Sequence, residues 1–381
     1  MNNPFIFGHL SDPSSFVNRT DDIFRLRQNI ENKINTIILS PRRWGKSSLV
    51  KVLETKSGLS KNYVFCYLDM FHVSNEEDFY NQYSNAILQS TASKFEEMML
   101  NVKSFLSSLK PSFAFEEMGT GKLSFEINAD TSESSFRDVL DLGEKIAKKK
   151  KKRLIVCIDE FQNLSRFKDP LLFQQRLRAS WQHHQHVTYV LYGSKRSMLS
   201  AIFEKQSMPF YRFGDVFYLQ KIEVKHWLRF IQNSFKKTGK KISKKLTLQL
   251  IEVMESHTYY VQQLAHIVWN NTDAEVDAEI YSQSIRDIIG RNSLMFENIY
   301  DGLSLGQMKV LRMLVESPGA KYTGAQMITK YDLASSANVM QALKALENKE
   351  VIDRFEGSPQ FVDPVFCMWI MERVVKGNKT Y

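Results

Sequence analysis

The stretch "INTIILSPRRWGKSSLVKVLE", residues 34–54, decides the fold. Its first part is short and apolar: Ile34, Thr36, Ile37, Ile38 and Leu39 form a β-branched run that reads as a buried strand. Its last part, from Ser47 to Lys56, carries Leu49, Val50 and Leu53 at helical spacing. Between them lies a loop ending in Gly45-Lys46-Ser47. Strand, loop and helix in that order suit a phosphate-binding loop, because backbone N–H groups at a helix N-terminus then converge on an anion. The donors are expected to be the amides of Trp44 to Ser48, with Arg43 in the same nucleotide-binding set. Gly45 permits close backbone approach. Lys46 would reach the β- and γ-phosphates, and Ser47 would coordinate Mg2+. One position departs from the pattern G-x-x-x-x-G-K-[ST]: Ser40 stands where the first Gly belongs. That Gly relieves the turn out of the strand and touches no phosphate. A Ser is tolerated there if its φ is negative, and otherwise costs about 1 kcal/mol or less.

The second half of the site is "KKKKKRLIVCIDEFQNL", residues 148–164. Leu154 to Ile158 is a continuous apolar run, as expected of a strand buried on both faces. It ends in Asp159-Glu160. A carboxylate at the C-terminal end of such a strand can hold Mg2+. The adjacent Glu160 can orient or deprotonate a water that attacks a γ-phosphate. The second acid favours hydrolysis of a nucleoside triphosphate over phosphoryl transfer to a small molecule. Loop and acid pair support each other in order and spacing.

The chain has 381 residues, room for two or three domains, with 43% hydrophobic and 24% charged residues. No apolar run approaches the roughly 20 residues that span a bilayer, and the opening "MNNPFIFGHLSDPSSF" has no basic start or long apolar core. Cys66, Cys157 and Cys367 lie in apolar segments without metal-ligand spacing, which suggests free thiols and a cytoplasmic location. The net charge is +9, and much of it is one run, Lys148 to Arg153. Such a run is either a solvated helix end or a contact for nucleic acid or acidic lipid.

Along the chain, Thr20 or Asp21 can cap a first helix. Residues 63–70 form a second strand and residues 75–100 a long helix. "PSFAFEEMGTGKLSFEINAD", residues 111–130, looks like an inserted hairpin around Gly119-Thr120-Gly121. A helix over 168–185 follows, then strands at 187–192 and 215–219. Ser194 stands just past the fourth strand, where a polar residue can sense a γ-phosphate. From residue 222 the pattern is helical. The last part reads as three helices and a hairpin, a winged helix-turn-helix. The expected fold is α/β: a P-loop NTPase parallel sheet with a helical lid and a C-terminal winged helix-turn-helix domain. The expected domains are 1–221 for the core, with the 111–130 insertion, 222–300 for the lid and 301–381 for the winged helix.

These pieces together resemble the archaeal-ATPase family of P-loop NTPases, in the STAND branch near the AAA+ ATPases. The residues that carry the resemblance are "FVNRTDD", "SPRRWGKSSL", "LIVCIDEFQNL", "YGSKRSML", "PFYRFGDVFYL", "SHTYYVQQLAHIVW" and "FVDPVFCMWI". It covers nearly the whole chain and implies an ATPase core, a helical lid and a winged helix working as a nucleotide-operated switch. By that resemblance ATP and Mg2+ are the cofactors, and Lys46, Ser47, Asp159 and Glu160 serve as argued above. Arg19 would lie near the adenine, and Arg212 would contact the γ-phosphate. Three places depart from the family pattern: Asn18 and Ser40 replace Gly, and Ser256-His257-Thr258 replaces Gly-x-Pro. They bear on the lid contact and on rate more than on binding. His257 reads as a nucleotide sensor or as a capping or core histidine.

The expected function is therefore slow, Mg2+-dependent ATP hydrolysis in a switch. The alternatives are a DNA-binding regulator or a protein scaffold in which bound nucleotide is structural. From Gly302 to the end, 10 Lys and Arg face 8 Asp and Glu. Few phosphates would be neutralised, so DNA binding by the winged helix is expected to be weak. A protein partner, or the chain's own ATPase core, is the expected contact of the winged helix. A nucleotide-dependent oligomer stays open, and no membrane is expected.

Overall fold

β-Branched and aromatic runs supply the strands of one five-stranded sheet, and amphipathic segments cover it. The computed structural model describes residues 2–9, 16–56, 58–59, 62–92, 113–118, 122–127, 133–355 and 357–377. The chain divides into two units, Arg19–Gln220 and Met1–Asn18 joined with Lys221–Tyr381.

The first unit runs α1 (Thr20–Glu31), β1 (Thr36–Leu39), α2 (Lys46–Lys56), β2 (Tyr63–Asp69), α3 (Glu76–Thr91), β3 (Phe113–Met118), β4 (Lys122–Ile127), α4 (Glu133–Leu140), α5 (Leu142–Lys150) and β5 (Arg153–Asp159). A 3-10 turn (Phe161–Arg166), α6 (Pro170–Trp181), β6 (Val187–Gly193), α7 (Arg196–Phe203) and β7 (Asp215–Tyr218) complete it. The sheet order is β2-β5-β6-β1-β7, with every pairing parallel. The central strands β1 and β6 are buried throughout, and β5 at all but its two ends. That is why their sequences are continuous apolar runs rather than alternations. Both β1 and β5 end on the same edge, with β6 between them, so β6 sets the spacing of loop and acid pair. Aromatic packing fixes the helices: Trp181 stacks on Tyr189 with centroids 4.1 Å apart. A ring buried so well is worth about 3–5 kcal/mol against Ala.

The inserted hairpin is present, with Phe115 opposite Phe125. Its Gly119–Gly121 turn lies outside the described residues, as do residues 93–100 of the expected long helix. The first helix is capped differently from the expectation. Its N-cap is Arg19, without a side-chain cap bond.

The second unit contains α8 (Val224–Lys237), α9 (Lys244–Val253), α10 (Thr258–Asn270), α11 (Ala278–Asp301), α12 (Leu305–Glu316), α13 (Ala325–Lys330) and α14 (Ser336–Asn348). The hairpin β8 (Ile352–Phe355) and β9 (Ser358–Phe361), α15 (Pro364–Trp369) and a π-helical turn (Ile370–Lys376) follow. Its helical part and its winged part share one core: Phe296 packs on Phe366 at 5.1 Å, and Trp369 Nε1 donates to Ser293 Oγ at 2.9 Å. The opening residues, expected in the first domain, belong here instead. Phe5 is buried against Phe230 and Phe235, and Asn3 Nδ2 donates to the His266 carbonyl at 3.0 Å.

Candidate functional site

Strand β1 delivers the chain to Ser40, which is buried at 1% exposure and is not among the residues with positive φ. The missing first Gly is therefore harmless to the turn. The left-handed positions fall later, at Arg43 (φ 63°) and Gly45 (φ 92°). Gly45 meets its conformation without the penalty a Cβ would bring. The Leu49 N–H donates to the Gly45 carbonyl at 2.8 Å as α2 begins. Lys46 is the first residue of α2, so the loop meets the helix at its N-terminus, the end that suits an anion.

Lys46, 6% exposed, folds back over the loop. Its Nζ donates to the Pro41 carbonyl at 3.1 Å and to the Ser40 carbonyl at 3.4 Å. Burial pushes its pKa down, and the charges of Glu160 and Asp159 oppose that shift. At the end of β5, Asp159 accepts from Ser47 Oγ at 2.6 Å and from the Glu160 N–H at 2.8 Å. Burial pushes the Asp159 carboxyl up, while the Ser47 bond and Lys46 restrain the rise.

Ser47 Oγ and Asp159 Oδ2 place two hard oxygens together. Among the described residues no group of three or more His, Cys, Asp or Glu forms a metal cage. That donor set fits Mg2+, which keeps water and phosphate oxygens and takes one or two oxygens from protein.

Glu160 has a left-handed backbone (φ 49°). Its Oε2 accepts from Ser194 Oγ at 2.8 Å and also from Gln162 Nε2. Ser194, expected to face a γ-phosphate, is thus bonded to the second acid. Arg19, expected beside an adenine, is a buried clamp. It donates to the Gln220 carbonyl at 2.6 Å, to the Trp44 carbonyl at 3.2 Å and to Asp22 at 3.2 Å. Burial lowers its pKa and Asp22 opposes that. Trp44 is buried, while Arg43 is exposed.

Arg212 is a correction. It precedes β7, whose first residue Asp215 lies level with Thr36 at the start of β1. The loop leaves the other end of β1, about 13 Å away at 3.3 Å per residue. Arg212 is exposed, its guanidinium 5.2 Å from the Tyr211 ring. The parallel register keeps it away from the loop within this unit. His257 is a buried histidine of the second unit, at the N-cap position of α10 without a side-chain cap bond, its ring 4.9 Å from that of Tyr260.

Two residues of the site escaped the sequence reading, Gln162 and Gly193. "IDEFQNL" displayed Gln162 without a role, and nothing local ties it to Gly193.

A loop of amides at a helix start, a lysine beside it and a serine bonded to a strand-end aspartate define a phosphate-binding-loop NTPase site. Residues 16–264 match the family described as "ATPase domain predominantly from Archaea", and the chain belongs to that family. Residues 294–372 match a probable winged helix domain. Among solved structures, the chain is similar to a Walker-type ATPase of Pyrococcus abyssi, at 15% identity and TM-score 0.66, over 96% of this chain and 99% of that one. It is also similar to the ORC2 protein of Aeropyrum pernix in its ADP form, at 14% identity and TM-score 0.51, over 99% of this chain and 98% of that one. No curated protein matches the sequence. Among the described residues no helix is long and apolar enough to cross a membrane.

Proposed function

We propose that the chain binds ATP with Mg2+, hydrolyses it slowly and uses the nucleotide as a switch. The observation that carries this reading is the 2.6 Å bond from Ser47 to Asp159 beside buried Lys46, with Glu160 next in line. On binding, Lys46 exchanges the Ser40 and Pro41 carbonyls for the β- and γ-phosphates. Ser47 and Asp159 would hold Mg2+, which neutralises charge on the phosphate oxygens. Glu160 orients a water and accepts its proton as the water oxygen bonds to the γ-phosphorus. The bond from that phosphorus to the β-bridging oxygen breaks, leaving ADP and inorganic phosphate. The slow rate is supported by the place of Arg212, which precedes a strand start level with Thr36 and so lies away from the loop within its unit; arginine at the γ-phosphate is worth roughly 10³–10⁵ in rate where it is supplied.

The test is a melting curve. ATP·Mg2+ at about 100 times its Kd stabilises a folded chain by roughly 2.7 kcal/mol, which raises Tm by a few degrees. Lys46→Ala is expected to remove most of that shift. An unchanged wild-type curve at millimolar ATP would sink the site.

The winged helix is read as a packing and protein-docking module, which its shared core with α11 supports. Its balance of 10 basic to 8 acidic side chains leaves little for phosphates. The full chain is expected to bind mixed-sequence duplex DNA more weakly than micromolar at physiological salt. Any residual affinity is assigned to the run Lys148 to Arg153 and should fall when those lysines become alanine. Submicromolar binding that survives those changes would promote the DNA-regulator reading.

A further inference from the structure

Gly193 ends β6, opposite Leu39 in register. Its backbone is not left-handed, so conformation does not demand glycine. Space does. A Cβ built on Gly193 runs into the amide of Gln162 and comes within 3.2 Å of Leu199 Cδ1. Gln162 is fully buried, and its Oε1 has no hydrogen-bond partner. A buried amide oxygen without a partner destabilises a fold, but Gln174 Oε1 is in the same position, so the oxygen alone assigns no role. The other end of the amide explains the placement. Gln162 Nε2 donates to Glu160 Oε2, the same oxygen that accepts from Ser194 Oγ. The amide orientation follows from chemistry, because the reverse would set its oxygen against a carboxylate oxygen.

We propose that Gln162, seated in the space Gly193 leaves empty, is a positioning residue that fixes the Glu160 carboxylate for hydrolysis. The terminal torsion of a Glu is broad and two-fold, so an unheld carboxylate turns freely. Two donors on Oε2 stop that rotation and leave Oε1 to accept the proton of the attacking water. Gln162 itself touches neither nucleotide nor water. The inference rests on the hydrolytic reading above.

The test uses the full-length chain. Gln162→Met keeps the length and removes both the donor and the unpartnered oxygen. Tm is expected at or above wild type, with Kd for a non-hydrolysable ATP analogue unchanged and kcat lowered roughly 10- to 100-fold. A merely structural Gln162 would give the opposite pattern, a lower Tm and full turnover per folded molecule. Gly193→Ala is expected to lower kcat in the same range by expelling the Gln162 amide. In a Gln162→Ala background it should change kcat no further, since the amide is already gone. That cycle is read per molecule able to bind ADP, so it holds even if a variant melts early. Wild-type turnover in Gln162→Met, or losses that multiply in the double variant, would overturn the proposal. A wild-type chain that binds ATP·Mg2+ and never hydrolyses it removes the hydrolytic reading, and this inference with it.

Discussion

At the carboxyl ends of β1 and β5, Lys46 and Asp159 are both pushed towards their neutral forms by burial. Where β6 begins, on the opposite edge of the same sheet, two carboxylates are held in their charged forms. His184 Nε2 lies 2.9 Å from Asp141 Oδ1, and Ser180 Oγ donates to that oxygen at 2.5 Å. His186 Nδ1 lies 2.7 Å from Glu144 Oε1, and the His186 N–H donates to Oε2 at 2.8 Å. Burial works to raise both acids, and these bonds overcome it, so both titrate below their ordinary range. The two edges have similar residue types and opposite electrostatics. Asp141 and Glu144, which serve only the fold, are satisfied within it. Groups at the loop keep unsettled charge that a polyphosphate and a divalent cation would settle, as expected of a functional site.

Replacing the acid at the loop edge gives the largest expected effect. Glu160→Gln keeps the size of the side chain and loses the carboxylate. It should leave ATP affinity near wild type and lower turnover by about 10²-fold or more. Equal turnover in both proteins would show that the unsettled edge is not a catalytic one.

Asp159→Asn sharpens the comparison further. Because the folded protein raises the Asp159 pKa, the net effect of its surroundings, Lys46 included, disfavours the carboxylate. A neutral isostere should therefore stabilise the nucleotide-free protein, on the order of 1 kcal/mol. It should also weaken stabilisation by ATP·Mg2+, since one oxygen ligand loses its charge. The two melting orders should cross: the variant higher without nucleotide, wild type higher with it. A variant that melts lower in both conditions would mean that Asp159 is simply a structural partner of Ser47.

Legibility in the sequence followed locality. The loop and the acid pair were readable because each lies in one contiguous stretch and its strand is a continuous apolar run. Ser40 was readable in consequence, since a φ outside the left-handed region lets serine stand for glycine. Arg212 was misplaced because parallel strand order is not written locally. "PFYRFGDVFYL" predicts a strand but not that its start aligns with Thr36. The opening residues were placed in the first domain for the same reason, since the core around Phe5 lies more than 200 residues further on, at Phe230 and Phe235. The contact of Gln162 with Gly193 joins two strand exits. The glycine's reason is a side chain from another strand's exit, and no turn signal announces it.

The smallest expected effect comes from the satisfied edge, and its sign follows from the direction of the shifts. Asp141 and Glu144 have folded pKa values below their unfolded ones, which are about 3.9 and 4.3. The folded state therefore binds fewer protons in that range, and stability falls as pH drops. The contribution is fully present above about pH 5 and disappears as pH falls through the folded values, below about 4. Both acids are partly exposed, so solvent screening limits each pair to about 0.2–1 kcal/mol. Asp141→Asn with Glu144→Gln should lower stability slightly at pH 7 and flatten its decline between about pH 5 and 3. Hydrogen exchange at the Leu154 amide of β5 reads this locally, because that N–H donates to the His186 carbonyl just before β6. ATP turnover at pH 7 should be unchanged in the same variant. A fall in turnover would mean that the two edges communicate through β6, and the division between a structural edge and a working one would have to be given up.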